Sequence, residues 1–227
     1  AIEIRGYRSA AEIYRLRKDE DVAGLCANRA DALQNMLENQ WWDEEAGEFY
    51  QVKEQGGKLV HSPEMGHGLS LLYYRVITQK EKHIEKLHNY SIEQRERINV
   101  ESMSHYPEIF FRHGEVEKAY YWLKEMINPQ LNRREYPEVS FAAVGSYVYG
   151  VAGIQINAPM REVTVAPALA GDVKWFSVQN CPLLDGEADV SCENQRITFK
   201  NRTSQLISVN GIQVLPNTAV EFDLQRG

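Results

Sequence analysis

The dipeptide Pro-Glu occurs three times in this 227-residue chain: in HSPEMGHG at Pro63-Glu64, in HYPEIFF at Pro107-Glu108 and in EYPEVSF at Pro137-Glu138. Each copy stands at the head of an apolar run with helical spacing. Carboxylates gathered on one cleft do acid–base work: a protonated carboxyl donates to a leaving oxygen while a carboxylate activates water, the arrangement that cleaves a glycosidic bond. His67, Tyr106 and Tyr136 lie beside these carboxylates in the sequence and would orient hydroxyls. Glu135 adds a further acid next to the last copy. Trp42, in the pair Trp41-Trp42, would offer a flat face for stacking.

The same pattern has a plain structural explanation. Proline is favoured at the first helical position, where its missing N–H costs nothing. A glutamate in the first turn gains about 0.3–1 kcal/mol from the helix macrodipole. Helix punctuation alone therefore accounts for any single copy, and the carboxylates would then point apart.

The chemistry needs helices that start on a common side. Apolar residues recur with helical period over Asp21–Trp41, Met65–Ile77, Glu81–Tyr90, Met103–Arg112, Glu115–Ile127 and Val139–Val151. Two types alternate. Met65–Ile77, Met103–Arg112 and Val139–Val151 are apolar nearly all round, the mark of a helix wrapped by others. The other three carry one apolar stripe. This predicts helical hairpins with an inner and an outer layer, the inner helices opening on one face. Trp122 and Trp175 are assigned to the core. WWDEEAGEFYQV reads as a turn with short extended flanks.

After Ile154 the period falls to two. VTVAPAL, KWFSV, ADVSC, RITFKN, QLISVN and AVEFDL are short strand-like runs separated by turn signals such as LDGE and NGI. They predict an antiparallel β-sandwich. The expected division is a helical domain over 1–154 and a sheet domain over 155–227.

Composition narrows the function. A net charge of -7 disfavours binding to a phosphate backbone. No apolar run reaches the roughly 18–20 residues that span a bilayer. The first twenty residues lack the uninterrupted apolar core of a secretory signal. Three cysteines, Cys26, Cys181 and Cys192, make no disulfide framework and no zinc spacing. A reducing, cytoplasmic setting is expected, and Asn89-Tyr-Ser91 and Asn201-Arg-Thr203 are discounted as glycosylation sites. No GxxxxGK[ST] loop is present, and neither a cofactor nor a metal is expected.

AVGSYVYGVAGI, Ala143 to Ile154, resembles the closing inner helix of glycosidases built on a six-hairpin (α/α)6 toroid, and most of all the α-L-rhamnosidase type. The next stretch, APMREVTVAPALAGDVKWFSVQNCPLLDGEADV, is similar to the β-sandwich after that helix. WWDEEAGEFY resembles the turns between toroid hairpins. The resemblance implies an α/α-toroid portion followed by an antiparallel β-sandwich, and hydrolysis with inversion. It places the late carboxylate, the base, at Glu135 or Glu138, with Glu138 favoured by its place at the helix mouth. Glu64 is the candidate for the acid or for a sugar contact, and Glu108 for a sugar contact. Such toroids have about twelve helices and six are legible here, so the chain looks like the second half of one. Its expected partners are an oligosaccharide or glycoside, and either a second copy of the chain or a missing N-terminal half. The competing expectation is a carbohydrate-binding or interaction module without catalysis.

Overall fold

The computed structural model describes residues 1–62, 69–78, 80–171 and 173–224. Glu64 and His67, two of the candidate site residues, lie outside them. The chain forms two compact units, Ala1–Ile98 and Asn99–Gly227.

The first unit opens with a helical hairpin, α1 (Ile2–Leu16) and α2 (Glu20–Gln40). Asp19 caps α2, its side chain accepting from the Val22 N–H at 3.2 Å. Ala23 and Ala30, seven residues apart on one face of α2, are fully buried, and α1 buries Ile4 and Ala11. Small residues at that spacing let the two helices approach closely. Two short hairpins come next: β1 (Trp42–Asp43) with β2 (Glu48–Phe49), and β3 (Val52–Lys53) with β4 (Leu59–Val60).

The expected helix over 65–77 is shorter at its C-terminal end: α3 is Leu69–Tyr73. Arg75 takes the left-handed conformation, and the N–H groups of Arg75 and Val76 return to the carbonyls of Leu72 and Leu71. That is a Schellman closure, and it ends the helix although Val76 and Ile77 continue the apolar pattern. The unit's last α-helix is α4 (Lys80–Glu93), which buries Ile84 and Leu87 and is followed by a 3-10 turn, Arg95–Arg97.

The second unit carries α5 (Val100–Met103), α6 (Tyr106–Arg112), α7 (Val116–Met126) and α8 (Pro137–Ser146), the last running into a π-helical turn, Tyr147–Val151. The expected helix over 103–112 therefore begins later, at Tyr106, and a separate short helix ends at Met103. Asn99 caps α5 by accepting from the Ser102 N–H at 2.7 Å, and Pro107, which has no N–H to give to Met103, fits only the first turn of a new helix. On α7 the apolar stripe is buried through Ala119, Tyr120, Trp122, Leu123 and Met126.

The expectation that Val139–Val151 is buried on every side is corrected. Val139, Ser146, Gly150 and Val151 are buried, but Phe141 is 75% exposed and Val144 65%. One face of an almost uncharged helix is open to solvent. Gly153 then turns the chain with φ +63, and a Cβ there would lie 1.9 Å from the Ala166 carbonyl oxygen.

From Ile154 on, strands dominate. β5 (Ile154–Asn157), β6 (Glu162–Val165), β10 (Ile207–Val209) and β11 (Ile212–Val214) form a four-stranded sheet in the order β11-β10-β6-β5. β7 (Trp175–Leu183), β8 (Gly186–Glu193), β9 (Arg196–Asn201) and β12 (Ala219–Asp223) form the other, in the order β12-β9-β8-β7. Pairing is antiparallel except between β10 and β6, which run parallel. Alternate residues such as Val163, Val165, Phe176, Val190, Ile197, Phe199, Ile207 and Val209 are buried. Trp175, expected in the core, is 66% exposed, because the strand's inward position falls on Phe176. Asn201 is fully buried, its amide donating to the carbonyls of Gln205 and Val214 and its oxygen accepting from Thr203. A side chain so engaged is closed to glycosylation. No helix among the described residues is long and apolar enough to cross a membrane.

Candidate functional site

The start of α8 is set by its sequence. Tyr136 is extended at the N-cap, Pro137 takes the first helical position and Glu138 the second. The Glu138 side chain is exposed, and its carboxylate makes no hydrogen bond or ion pair with the described residues. Glu135 is exposed two residues before the helix. Together with Met126, Ile127, Arg134, Val139, Ser140 and Ala143 it lines a cleft of about 480 Å3 beside the first turns of α8.

The α6 helix begins with a similar device. His105 stands at its N-cap and Pro107 in its first turn, with Glu108 next. The Glu108 carboxylate is bound by the Arg112 guanidinium, one turn along the same helix. Tyr106 is buried, its ring edge-on to Trp122 at 4.8 Å between centroids. The ring body is thus part of the core.

Contacts at both ends fix the relation between α6 and α8. At the starts, Arg133, four residues before α8, lies 3.7 Å from Glu101 in the helix that leads into α6. At the ends, the Arg112 guanidinium lies 5.4 Å from the Tyr149 ring centroid. A Cβ on Gly150 would come within 2.2 Å of the Phe111 ring. Start meets start and end meets end, so α6 and α8 run side by side in the same direction. Both Pro-Glu pairs of this unit therefore belong to helix starts on one side. Tyr136 is half-buried there, its hydroxyl accepting from Arg133, whose guanidinium lies 4.0 Å from the ring centroid.

Trp42 belongs to the other unit. Its indole N–H donates to Glu44 at 2.6 Å and its ring packs edge-on against Phe49 at 4.9 Å. Beside it stands a polar cluster that the sequence pattern presents only as a turn: Asp43, Glu48, Tyr50, His61 and Lys86. Asp43 accepts from the N–H groups of Glu45 and Ala46, both at 3.0 Å, and lies 3.0 Å from His61 Nε2. These hydrogen bonds, that of His61 foremost, hold the Asp43 carboxyl far below the usual carboxylate range. The available signal was the hairpin register, which pairs Asp43 with Glu48 across the strands.

No protein-family model matches the chain, and no curated protein does. Among solved structures it is similar to a protein described as a kojibiose phosphorylase from the human microbiome. That match has a TM-score of 0.52 and 15% identity, over 92% of this chain and 34% of that one. It is also similar to a GH78-family rhamnosidase of Bacillus sp. GL1, with a TM-score of 0.59 and 15% identity, over 87% of this chain and 23% of that one. The likeness is one of fold, glycosidase-like in outline: a helical part followed by a sheet part. The chain spans about a third and about a quarter of the two proteins' lengths.

Proposed function

We propose that this chain is part of a carbohydrate-active enzyme that breaks a glycosidic bond by an inverting, two-carboxylate mechanism, with Glu138 as the base. The observation that carries the reading is the unengaged carboxylate of Glu138 on a helix start whose neighbours Glu135, Val139 and Ser140 line a cleft, in a fold shared with two proteins named for action on sugars. A base must be open to its water, and Glu138 is, whereas the Glu108 carboxylate is held by Arg112. Glu64 remains the proposed acid or a sugar contact. Glu135 and Tyr136 would reach sugar hydroxyls, as would Glu108 and Tyr106 and, if they join the same mouth, His67 and Trp42. In this reading the helices complete an α/α-toroid, residues 1–154 being its helical portion and 155–227 the sandwich. Inversion needs the two carboxyl groups about 6.5–9.5 Å apart.

One structural neighbour is named a phosphorylase and the other a rhamnosidase, so water and inorganic phosphate are both candidate nucleophiles. The test is release of reducing sugar from a panel of oligosaccharides and aryl glycosides by the full-length protein, with and without phosphate, wild type against Glu138→Gln. Release that needs no phosphate and fails in the variant supports hydrolysis through Glu138. Wild-type turnover in the variant removes Glu138 from the chemistry.

A second reading is favoured by the open face of α8. Phe141 and Val144 expose apolar surface of the kind that marks an interaction site. On that reading the chain is a carbohydrate-binding or interaction module that associates with a second copy or with a missing N-terminal half. Sedimentation at micromolar concentration tests it, since a compact monomer would contradict association of the chain with itself.

A further inference from the structure

The polar cluster of the first unit is not used by the proposed chemistry, and its geometry is specific. His61 lies between two carboxylates: Nε2 is 3.0 Å from Asp43 Oδ2 and Nδ1 is 3.4 Å from Glu48 Oε1. Nε2 hydrogen-bonds Asp43, while the Glu48 contact is an ion pair at longer range. Only the imidazolium presents a proton and positive charge to both anions; a neutral ring that donates to Asp43 turns the Nδ1 lone pair towards Glu48. We propose that the Asp43–His61–Glu48 bridge is a pH-sensitive latch, fastening the 42–49 hairpin to strand β4 when the ring carries both protons and loosening it when one is lost.

The surroundings support this. Among the described residues, the charged and titratable groups on His61 are Asp43 from β1, Glu48 from β2, Tyr50 after β2 and, one step out, Lys86 from α4. Tyr50 stacks on the ring with centroids 4.5 Å apart and a tilt of 27°. Its hydroxyl engages Asp43, which raises the Tyr50 pKa and keeps the phenol neutral as a donor. Lys86 Nζ lies 3.3 Å from Glu48 Oε2 and donates to the Ala46 carbonyl at 2.6 Å. Of the turn acids, Glu44 holds the Trp42 indole and Glu45 adds negative charge near Tyr50. Asp43, held far below its ordinary value, stays an anion throughout. Histidine is the side-chain type that changes charge between pH 5 and 8. The doubly protonated ring therefore bridges two anions at lower pH, and the bridge weakens as pH rises.

The latch closes a defined loop. His61 directly follows β4, which pairs with β3, and the Gln51 N–H donates to the Val60 carbonyl at 3.2 Å. Gln51 in turn accepts from the Ser62 N–H at 2.7 Å. Loss of one arm should therefore be felt at these amides and not in the α1–α2 hairpin.

Amide hydrogen exchange of the whole chain tests the latch. After correction for intrinsic exchange, protection at Gln51 and Ser62 should fall about two- to fivefold between pH 5.5 and 8.5, the effect of one partly exposed ion pair. Protection at Ala23, in α2, should stay level. In His61→Gln the fall should vanish, and in Glu48→Gln, which keeps the histidine and removes one anion, it should be shallower. A wild-type profile that is flat overturns the proposal, as does a fall of equal depth in both variants. Should His61→Gln open the hairpin at every pH, the Glu48→Gln slope alone decides.

Discussion

The starts of α6 and α8 carry the same dipeptide on parallel neighbouring helices, yet their carboxylates are placed differently. Glu108 is bound by Arg112 one turn later, while the corresponding position after Glu138 is Ala142, which can bind nothing. A helical carboxylate meets the residues three and four positions on. One arginine therefore separates an acid engaged by its own helix from an acid open to a ligand. Pro-Glu itself is helix punctuation, and the side chain one turn further along decides whether the carboxylate is available for chemistry.

The largest effect that would sharpen this contrast is on turnover. Glu138→Gln should lower turnover by about 100- to 10,000-fold, the usual contribution of a general base, while stability falls only by the roughly 0.3–1 kcal/mol of its helix-dipole interaction. Glu108→Gln should leave most of the turnover, as followed by reducing-sugar release in the full-length protein. Equal losses in both variants would erase the distinction.

Much of the architecture was legible in the residues. The α6 and α8 starts fall where Pro-Glu stands, and the switch to strands comes at Ile154. Glu108→Arg112 is readable as an i,i+4 ion pair from spacing alone. The α3 end was not, because a left-handed Arg75 stops the helix where a glycine would have announced it. The solvent-facing side of α8 was hidden too, since an uncharged helix reads as buried whether or not its cover is part of the chain. Trp175 misled for a related reason: size suggests the core, but strand alternation puts Phe176 there. The Asp43–His61 contact joins residues 18 apart and needs the hairpins to be folded before it exists.

A second test breaks the packing that makes α6 and α8 parallel. Gly150→Ala places a methyl within 2.2 Å of the Phe111 ring. Overpacking of this kind costs about 1–3 kcal/mol, to be read as a lower denaturation midpoint. No loss would show that the helix ends do not meet as described.

Acid should act on the sheet region more gently. Asp189 accepts from the Asn180 N–H at 3.0 Å and from Arg202 at 3.1 Å, and its pKa is lowered, first by the Asn180 hydrogen bond. A depressed carboxylate stabilises the fold above its unfolded value, about 3.9, and that stabilisation is lost as pH falls through the folded value. The melting difference between wild type and Asp189→Asn should accordingly be present at pH 7 and shrink by pH 3. The smallest effect is expected for Glu108→Gln on stability, about 0.3–0.5 kcal/mol for one helical ion pair.

The most direct measurement is chemical rescue of Glu138→Ala in the full-length protein by azide. If Glu138 is the base that activates the nucleophile, the variant is inactive on its glycoside, and azide, which needs no base, restores cleavage with a glycosyl azide of inverted configuration. Undiminished hydrolysis by the variant without azide would contradict the account.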